Sequence, residues 1–489
     1  MHKFLALYRG QFLCQLPAMS QPVTLPLWLL VLILAFAGVT FASHFLFPSV
    51  RWFFRRRMER VVARLNARLE RPIQPFKLMR RHDMIMRLIH DPDVMEAVVE
   101  EASNTGVPEQ VVLERARRYA REIVPAFSAS IYFGIATRAA RFIARMFYHV
   151  RVGNFDASEY KSLDREATVI FVMNHRSNMD YVLVTHLVAD RSALSYAVGE
   201  WARVWPLSRL IRAMGAYFIR RKDSSPLYRR VLAQYVRMAT DQGVTQAIFP
   251  EGRLSLTGAL APAKLGLLAY IIGGQRRGGR DVIFVPVAIS YDRVLEDRIL
   301  TEAAKAGARR FRARISSIVA FGLRNLWRRL RGRFKRFGYA AVSFGTPQSL
   351  ENFMATGPQD PANGLADLLM GRIARVMTVL PVPLVAAALG ADRRISRSAL
   401  LARAAALAAT LKAQGASVHL PRSSAQLAAE SGLDALCLRG LLAESDGEIT
   451  LADENAALIA YYAASVTEVQ NAVAADFSAF SDQNETDKT

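Results

Sequence analysis

Between Arg9 and Arg51 the chain has no Asp, Glu, Lys or Arg. Inside this window Leu25–Phe47 reads LPLWLLVLILAFAGVTFASHFLF. A membrane-spanning helix needs about 20 apolar residues, and this run predicts one. It starts too late and runs too long for the h-region of a cleaved signal peptide, roughly 7–15 residues. From about Met58 to Val150 apolar residues recur at spacings of three and four among basic ones, as in LMRRHDMIMRLIH, which predicts helices. Asp91-Pro92 and Gly106 punctuate them. Near residue 150 the period changes. Short β-rich runs are predicted at 167–174, at the end of GAYFIRR, and at 245–250, 281–290 and 339–345. Helical stretches lie between them, one closed by Gly243. This alternation predicts an α/β fold, a central mixed β-sheet flanked by helices, with its site at the carboxyl ends of strands. Beyond about residue 360 the chain is Ala- and Leu-rich and reads as helix.

The expected organisation is an anchor and basic juxtamembrane segment at 1–57, a helical domain at 58–150 and an α/β domain at 151–355. A C-terminal helical region at 356–475 and a disordered tail at 476–489 complete it.

Charge changes this picture by naming partners. The 489 residues carry a net charge of +22, which calls for an acidic partner. Nucleic acid and an anionic lipid surface are the two classes, and the apolar run favours lipid. Arg51, Arg55, Arg56, Arg57 and Arg60 follow that run and outnumber Lys3 and Arg9 before it. The positive-inside rule then puts everything after residue 50 in the cytoplasm, on a single-pass protein of the inner or plasma membrane. The basic stretch from about Leu300 to Gly338 reads equally as a membrane-surface helix or a solvated face on the sheet. Two cysteines, Cys14 and Cys437, make a disulfide scaffold unlikely, and no motif calls for a metal.

Four segments carry chemistry. In Asn174-His175-Arg176-Ser177-Asn178-Met179-Asp180 a histidine precedes an aspartate by five positions. Histidine suits proton abstraction near neutral pH, and a carboxylate fixes its tautomer. Five positions do not share a face of a regular helix, so a strand-to-helix turn would have to join the pair. In Gly215-Ala216-Tyr217-Phe218-Ile219-Arg220-Arg221 adjacent arginines end an apolar strand, where they can grip a phosphate. In Phe249-Pro250-Glu251-Gly252-Arg253-Leu254-Ser255 a glutamate and an arginine straddle a glycine turn. In Val285-Pro286-Val287-Ala288-Ile289-Ser290-Tyr291-Asp292 the proline marks an edge, a bulge or a pocket wall. Each also has a plain structural reading: a helix-start Asp, a basic strand end, a turn with a local ion pair, an ordinary strand.

Their order and spacing resemble the four blocks of the glycerolipid acyltransferase superfamily, most of all its glycerol-3-phosphate 1-O-acyltransferase branch. HRSNMDYVL is similar to that branch's first block, GAYFIRR to its second and VPVAISYDRVLE to its fourth. Further similarity extends through HDPDVMEAVVEEA and ARRYAREIVPAFS upstream, and VSFGTPQSL and LPVPLVAAAL downstream, covering about residues 75–465. The resemblance implies the superfamily's α/β fold and acyl transfer to glycerol 3-phosphate, the first step of phospholipid synthesis. It implies His175 as general base and Asp180 as its partner. Arg220, with Arg221, would bind the acceptor phosphate. Glu251, Gly252, Arg253 and Ser255 would line the acceptor site, and Pro286 would shape the pocket wall. Acyl-CoA or acyl carrier protein would be the donor substrate, with no further cofactor.

The sequence departs from the branch in two places. Leu254 and Leu256 stand where its third block usually has arginines, and F-P-E-G-R is closer to lysophospholipid acyltransferases. Asn178 replaces a frequent second histidine. Acylation of 1-acylglycerol 3-phosphate is therefore the nearest alternative. A non-catalytic protein that binds anionic lipid is the alternative of another class, and nucleic-acid binding ranks last.

Overall fold

The computed structural model describes residues 26–41, 47–189, 191–199, 207–220, 225–274, 278–307, 327, 331 and 336–486. The protein forms two compact units, Met1–Arg64 and Leu65–Thr489.

In the first unit the helix Leu27–Phe41 has 15 residues, none of them buried. At about 1.5 Å per residue it rises about 22 Å, short of the roughly 30 Å of a bilayer core. No helix among the described residues is long and apolar enough to cross a membrane. Of the span expected over Leu25–Phe47, Leu25 and residues 42–46 lie outside the described residues, and the helix described within it runs over Leu27–Phe41. The next helix, Phe47–Asn66, carries the arginine run.

The second unit is built on an eight-stranded mixed sheet. Its strands are β1 (His149–Val152), β2 (Thr168–Met173), β3 (Ser195–Gly199), β4 (Tyr217–Ile219), β5 (Gln246–Ile248), β6 (Val282–Tyr291), β7 (Tyr339–Phe344) and β8 (Gln348–Ser349). The order is β1-β7-β6-β2-β5-β3-β4, with β8 also on β6. β2 and β6 are buried along their whole length, as their unbroken apolar runs require of central parallel strands. β6 runs parallel to β2 and antiparallel to β7 and β8.

Pro286 explains how β6 can be both central and proline-containing. Its carbonyl accepts from Gly345 N–H, so its nitrogen points the same way. On that side β8 pairs only Ile283 and Phe284, and β7 begins at Val287. The missing N–H thus falls between two ladders, where no acceptor waits.

Helix ends in this unit are capped where the sequence changes character. Asp91 accepts from Asp93 N–H ahead of Pro92–Thr105, and Gly106 ends that helix in the left-handed region. Ser225 caps Pro226–Asp241 in the same way. At the other end, helices Pro361–Val376, Pro381–Leu389, Arg397–Ala413, Ala425–Leu438 and Asp453–Thr486 surround a small sheet, β9 (Arg394–Ser396), β10 (Ala443–Ser445) and β11 (Glu448–Thr450). Asp453–Thr486 extends into the stretch read as a disordered tail. Of the basic stretch 300–338, residues 308–326, 328–330 and 332–335 lie outside the described residues.

Candidate functional site

Where β2 ends, Asn174 extends its pairing to β6. Its side-chain amide donates to the carbonyl of Ile289 at 3.0 Å and its oxygen accepts from Ile289 N–H at 2.7 Å. The chain then turns around one carboxylate. Asp180, in the first turn of the helix Met179–Val188, sits opposite His175 Nδ1 at 2.9 Å from Oδ2. The same oxygen accepts the backbone N–H groups of Arg176 and Ser177, at 2.7 and 3.0 Å. Oδ1 accepts from the Tyr291 hydroxyl of β6 at 2.6 Å. This turn is what joins two residues that no single helical face could bring together. Both are buried, His175 3% and Asp180 0% exposed. Burial first, and then the Asp180 charge, hold the Tyr291 hydroxyl well above its ordinary value, so it stays a donor.

The imidazole stacks on Phe249, ring centroids 4.1 Å apart, with Tyr181 edge-on at 5.6 Å. It lies in the wall of a cavity of ≈ 250 Å³. Arg220, Arg229 and Lys264 bring positive charge to the same cavity, and Ile219, Leu232 and Leu267 give it an apolar wall.

The third segment behaves differently from its sequence reading. Glu251 is 1% exposed, and its carboxylate accepts from His175 N–H at 2.8 Å and Ala261 N–H at 3.0 Å. Burial raises its pKa against those hydrogen bonds. Ser255 N–H donates to the His175 carbonyl at 2.9 Å, and its hydroxyl donates to the Ala259 carbonyl. Glu251 and Ser255 therefore hold the backbone of His175 from both sides and do not line the cavity. Arg253 is exposed and also outside the cavity wall. Gly252 lines it, at φ +67°, with the Lys264 stem passing over the turn. Pro286 shapes the sheet and not the wall. Arg221 lies outside the described residues.

Arg220 reaches the cavity from the end of β4 and is paired with Glu122 of the helix Glu109–Ile123, at 2.8 and 2.6 Å. Asn178 is engaged by Glu296, which also accepts from the Ser177 hydroxyl at 2.7 Å. Sequence reasoning missed Arg229, Lys264, Tyr291 and Glu296 as site residues. Tyr291 and Glu296 lay within the quoted fourth block, whereas Arg229 and Lys264 sit in helical and loop sequence with no local signal.

Residues 154–290 match the Acyltransferase family model, and residues 322–469 match the model of the glycerol-3-phosphate acyltransferase C-terminal region. A glycerol-3-phosphate acyltransferase of Ectopseudomonas mendocina is 29% identical over 414 residues, 78% of this chain and 48% of that protein. One from Aeromonas hydrophila is 28% identical over 341 residues, 65% of this chain and 40% of that protein. The chain thus spans about half or less of the length of these curated relatives. Among solved structures, the 1-acyl-sn-glycerophosphate acyltransferase of Thermotoga maritima matches at TM-score 0.29 and 16% identity, over 60% of this chain and 98% of that one. The first matched stretch holds the histidine–aspartate pair and the second the C-terminal helices, so across both the chain is similar to glycerol-3-phosphate acyltransferases.

Proposed function

We propose that the chain transfers a fatty acyl group from acyl-CoA or acyl carrier protein to the sn-1 hydroxyl of glycerol 3-phosphate. The observation that carries this reading is the buried His175–Asp180 pair in the wall of a cavity that also holds three cationic side chains. With Nδ1 engaged by Asp180, Nε2 is the nitrogen left for the acceptor hydroxyl. In this reading the hydroxyl gives its proton to Nε2 while its oxygen attacks the thioester carbonyl. A C–O bond forms, the tetrahedral oxyanion collapses, the C–S bond breaks, and the imidazolium returns the proton to the departing thiolate. Direct attack is favoured because the nearby serines are otherwise engaged, Ser177 with Glu296 and Ser255 with the Ala259 carbonyl. Arg220, Arg229 and Lys264 suit an acceptor phosphate, and the names of the relatives support glycerol 3-phosphate as that acceptor.

The F-P-E-G-R segment favours a second acceptor, 1-acylglycerol 3-phosphate. Thiol release from palmitoyl-CoA, with each acceptor offered separately to the purified protein in detergent, separates the two. Turnover with glycerol 3-phosphate supports the first reading. Turnover with the lysolipid alone supports the second. A protein inactive with both acceptors and with either donor sinks the catalytic reading.

The reading extends to a cytoplasmic-side membrane location and to anionic lipids as partners. Its support is the uncharged, unburied helix Leu27–Phe41 and the exposed Trp52 and Phe53 beside Arg56, Arg57 and Arg60.

A further inference from the structure

Arg220 lines the cavity beside His175, yet its guanidinium is already gripped from behind. Glu122 Oε2 accepts from Nε at 2.8 Å, and Oε1 from Nη2 at 2.6 Å. This is the side-on bidentate geometry, and it uses two of the five N–H donors of the fork. The Nη1 corner points away from that edge. The backbone N–H of Arg220 donates to the Tyr228 hydroxyl at 2.9 Å. The guanidinium carbon lies 5.0 Å from the centre of the Tyr119 ring and 5.5 Å from that of Tyr228, two rings in edge contact at 5.3 Å. Tyr119 and Glu122 belong to the helix Glu109–Ile123, outside the four blocks that carry the chemistry.

We propose that Glu122 is a positioning residue that fixes the Arg220 fork so that Nη1 meets the phosphomonoester of the acceptor. The inference rests on the acyl-transfer reading above. It makes the helix Glu109–Ile123 a support behind the acceptor site and not only a packing element. A free arginine side chain gives up rotamer freedom on binding, and one held in place beforehand gives up less. Glu122 lowers the local positive charge, but Arg229 and Lys264 face the same cavity and keep it cationic.

The test is steady-state kinetics of the full-length enzyme with whichever phosphorylated acceptor it uses, since both candidates carry the phosphomonoester. Glu122→Gln is expected to raise KM for the acceptor about tenfold, with a smaller change in kcat and in KM for palmitoyl-CoA. Glu122→Asp should recover part of the loss. In an Arg220→Lys background, where no fork remains to be oriented, Glu122→Gln should change KM by less than about twofold. Glu114→Gln, which breaks an exposed ion pair with Arg117 on the same helix, is the control and should leave KM unchanged. An unchanged KM in Glu122→Gln overturns the inference alone. So does a lowered KM, which would make Glu122 a competitor for Arg220, or an equal loss in the Arg220→Lys background. Wild-type enzyme that turns over neither acceptor overturns the acyl-transfer reading, and this inference with it.

Discussion

In the proposed reading His175 acts as a base toward the cavity, with Asp180 on its other nitrogen and two backbone N–H groups holding that carboxylate. His175→Ala is expected to lower kcat by at least about a thousandfold while the melting temperature stays within a few degrees. An active variant would remove His175 from the mechanism. Tyr291→Phe leaves Asp180 Oδ1 without its hydroxyl donor and is expected to cost about tenfold in kcat, read in the same assay. Asp292 behaves differently. It is fully buried, accepts from Tyr339 and Val382 N–H groups, and burial pushes its carboxyl from 3.8 to about 7. The folded protein therefore holds this proton more tightly than the unfolded chain does. The stability it contributes is complete below about pH 4 and is lost as pH rises through about 7. Asp292→Asn should thus gain on wild type between about pH 5 and about pH 8 in thermal melts, and a constant difference would refute this. His175, Asp180 and Arg220 were legible because each sits in a short segment with recognisable chemistry. The buried roles of Glu251 and Ser255 were not, because a carboxylate beside an arginine reads the same whether it faces ligand or backbone.

The segments that hold chemistry are clamped by elements far away in the chain. Gly258, in the loop after the third segment, has φ +82°, and a Cβ there would lie 1.8 Å from the backbone oxygen of Tyr461 in the last helix. Glu468 of the same helix accepts from Leu260 N–H, and Tyr462 accepts from Val294 N–H. Gly258→Ala is expected to destabilise the protein by more than about 2 kcal/mol. Gly106→Ala shares a positive φ but meets nothing within 4 Å, and should cost only about 1 kcal/mol. Equal melting temperatures for the two would mean the last helix is not seated on this loop. Among strands, β2, β4, β5, β6 and β7 announced themselves as apolar runs. β3 did not, since in SYAVG only Tyr196, Ala197 and Val198 are apolar, between Ser195 and Gly199. The three-residue strands β9, β10 and β11 were likewise hidden in helical texture.

The surplus of positive charge is a property of the entire chain, and part of it lies on the first unit. Arg56 packs over Trp52 at 4.3 Å, and Trp52 and Phe53 are more than half exposed. Replacing Arg56, Arg57 and Arg60 by Ala should weaken binding to vesicles containing anionic lipid by about 3 kcal/mol, about a hundredfold, with little change on neutral vesicles. Equal binding by variant and wild type would remove the anionic-lipid partner from the reading. The helices on either side of the α/β sheet lie with it in the compact unit Leu65–Thr489. Apolar periodicity marks which face of a helix is buried, but it does not say against what.

Read alone, the chain determined the fold class, five of its strands, the helix breaks at Asp91-Pro92 and Gly106 and the histidine–aspartate pair. All of these depend on neighbours within a few residues, where backbone period and side-chain type act directly. The packing of distant elements decided the rest. It turned Glu251 and Ser255 inward to His175, set Arg229 and Lys264 in the cavity, placed Pro286 between two ladders and brought Glu122 to Arg220. Glu122 and Arg220 are 98 residues apart, and no local pattern encodes a hydrogen bond across that distance, because its partners meet only once the sheet has assembled.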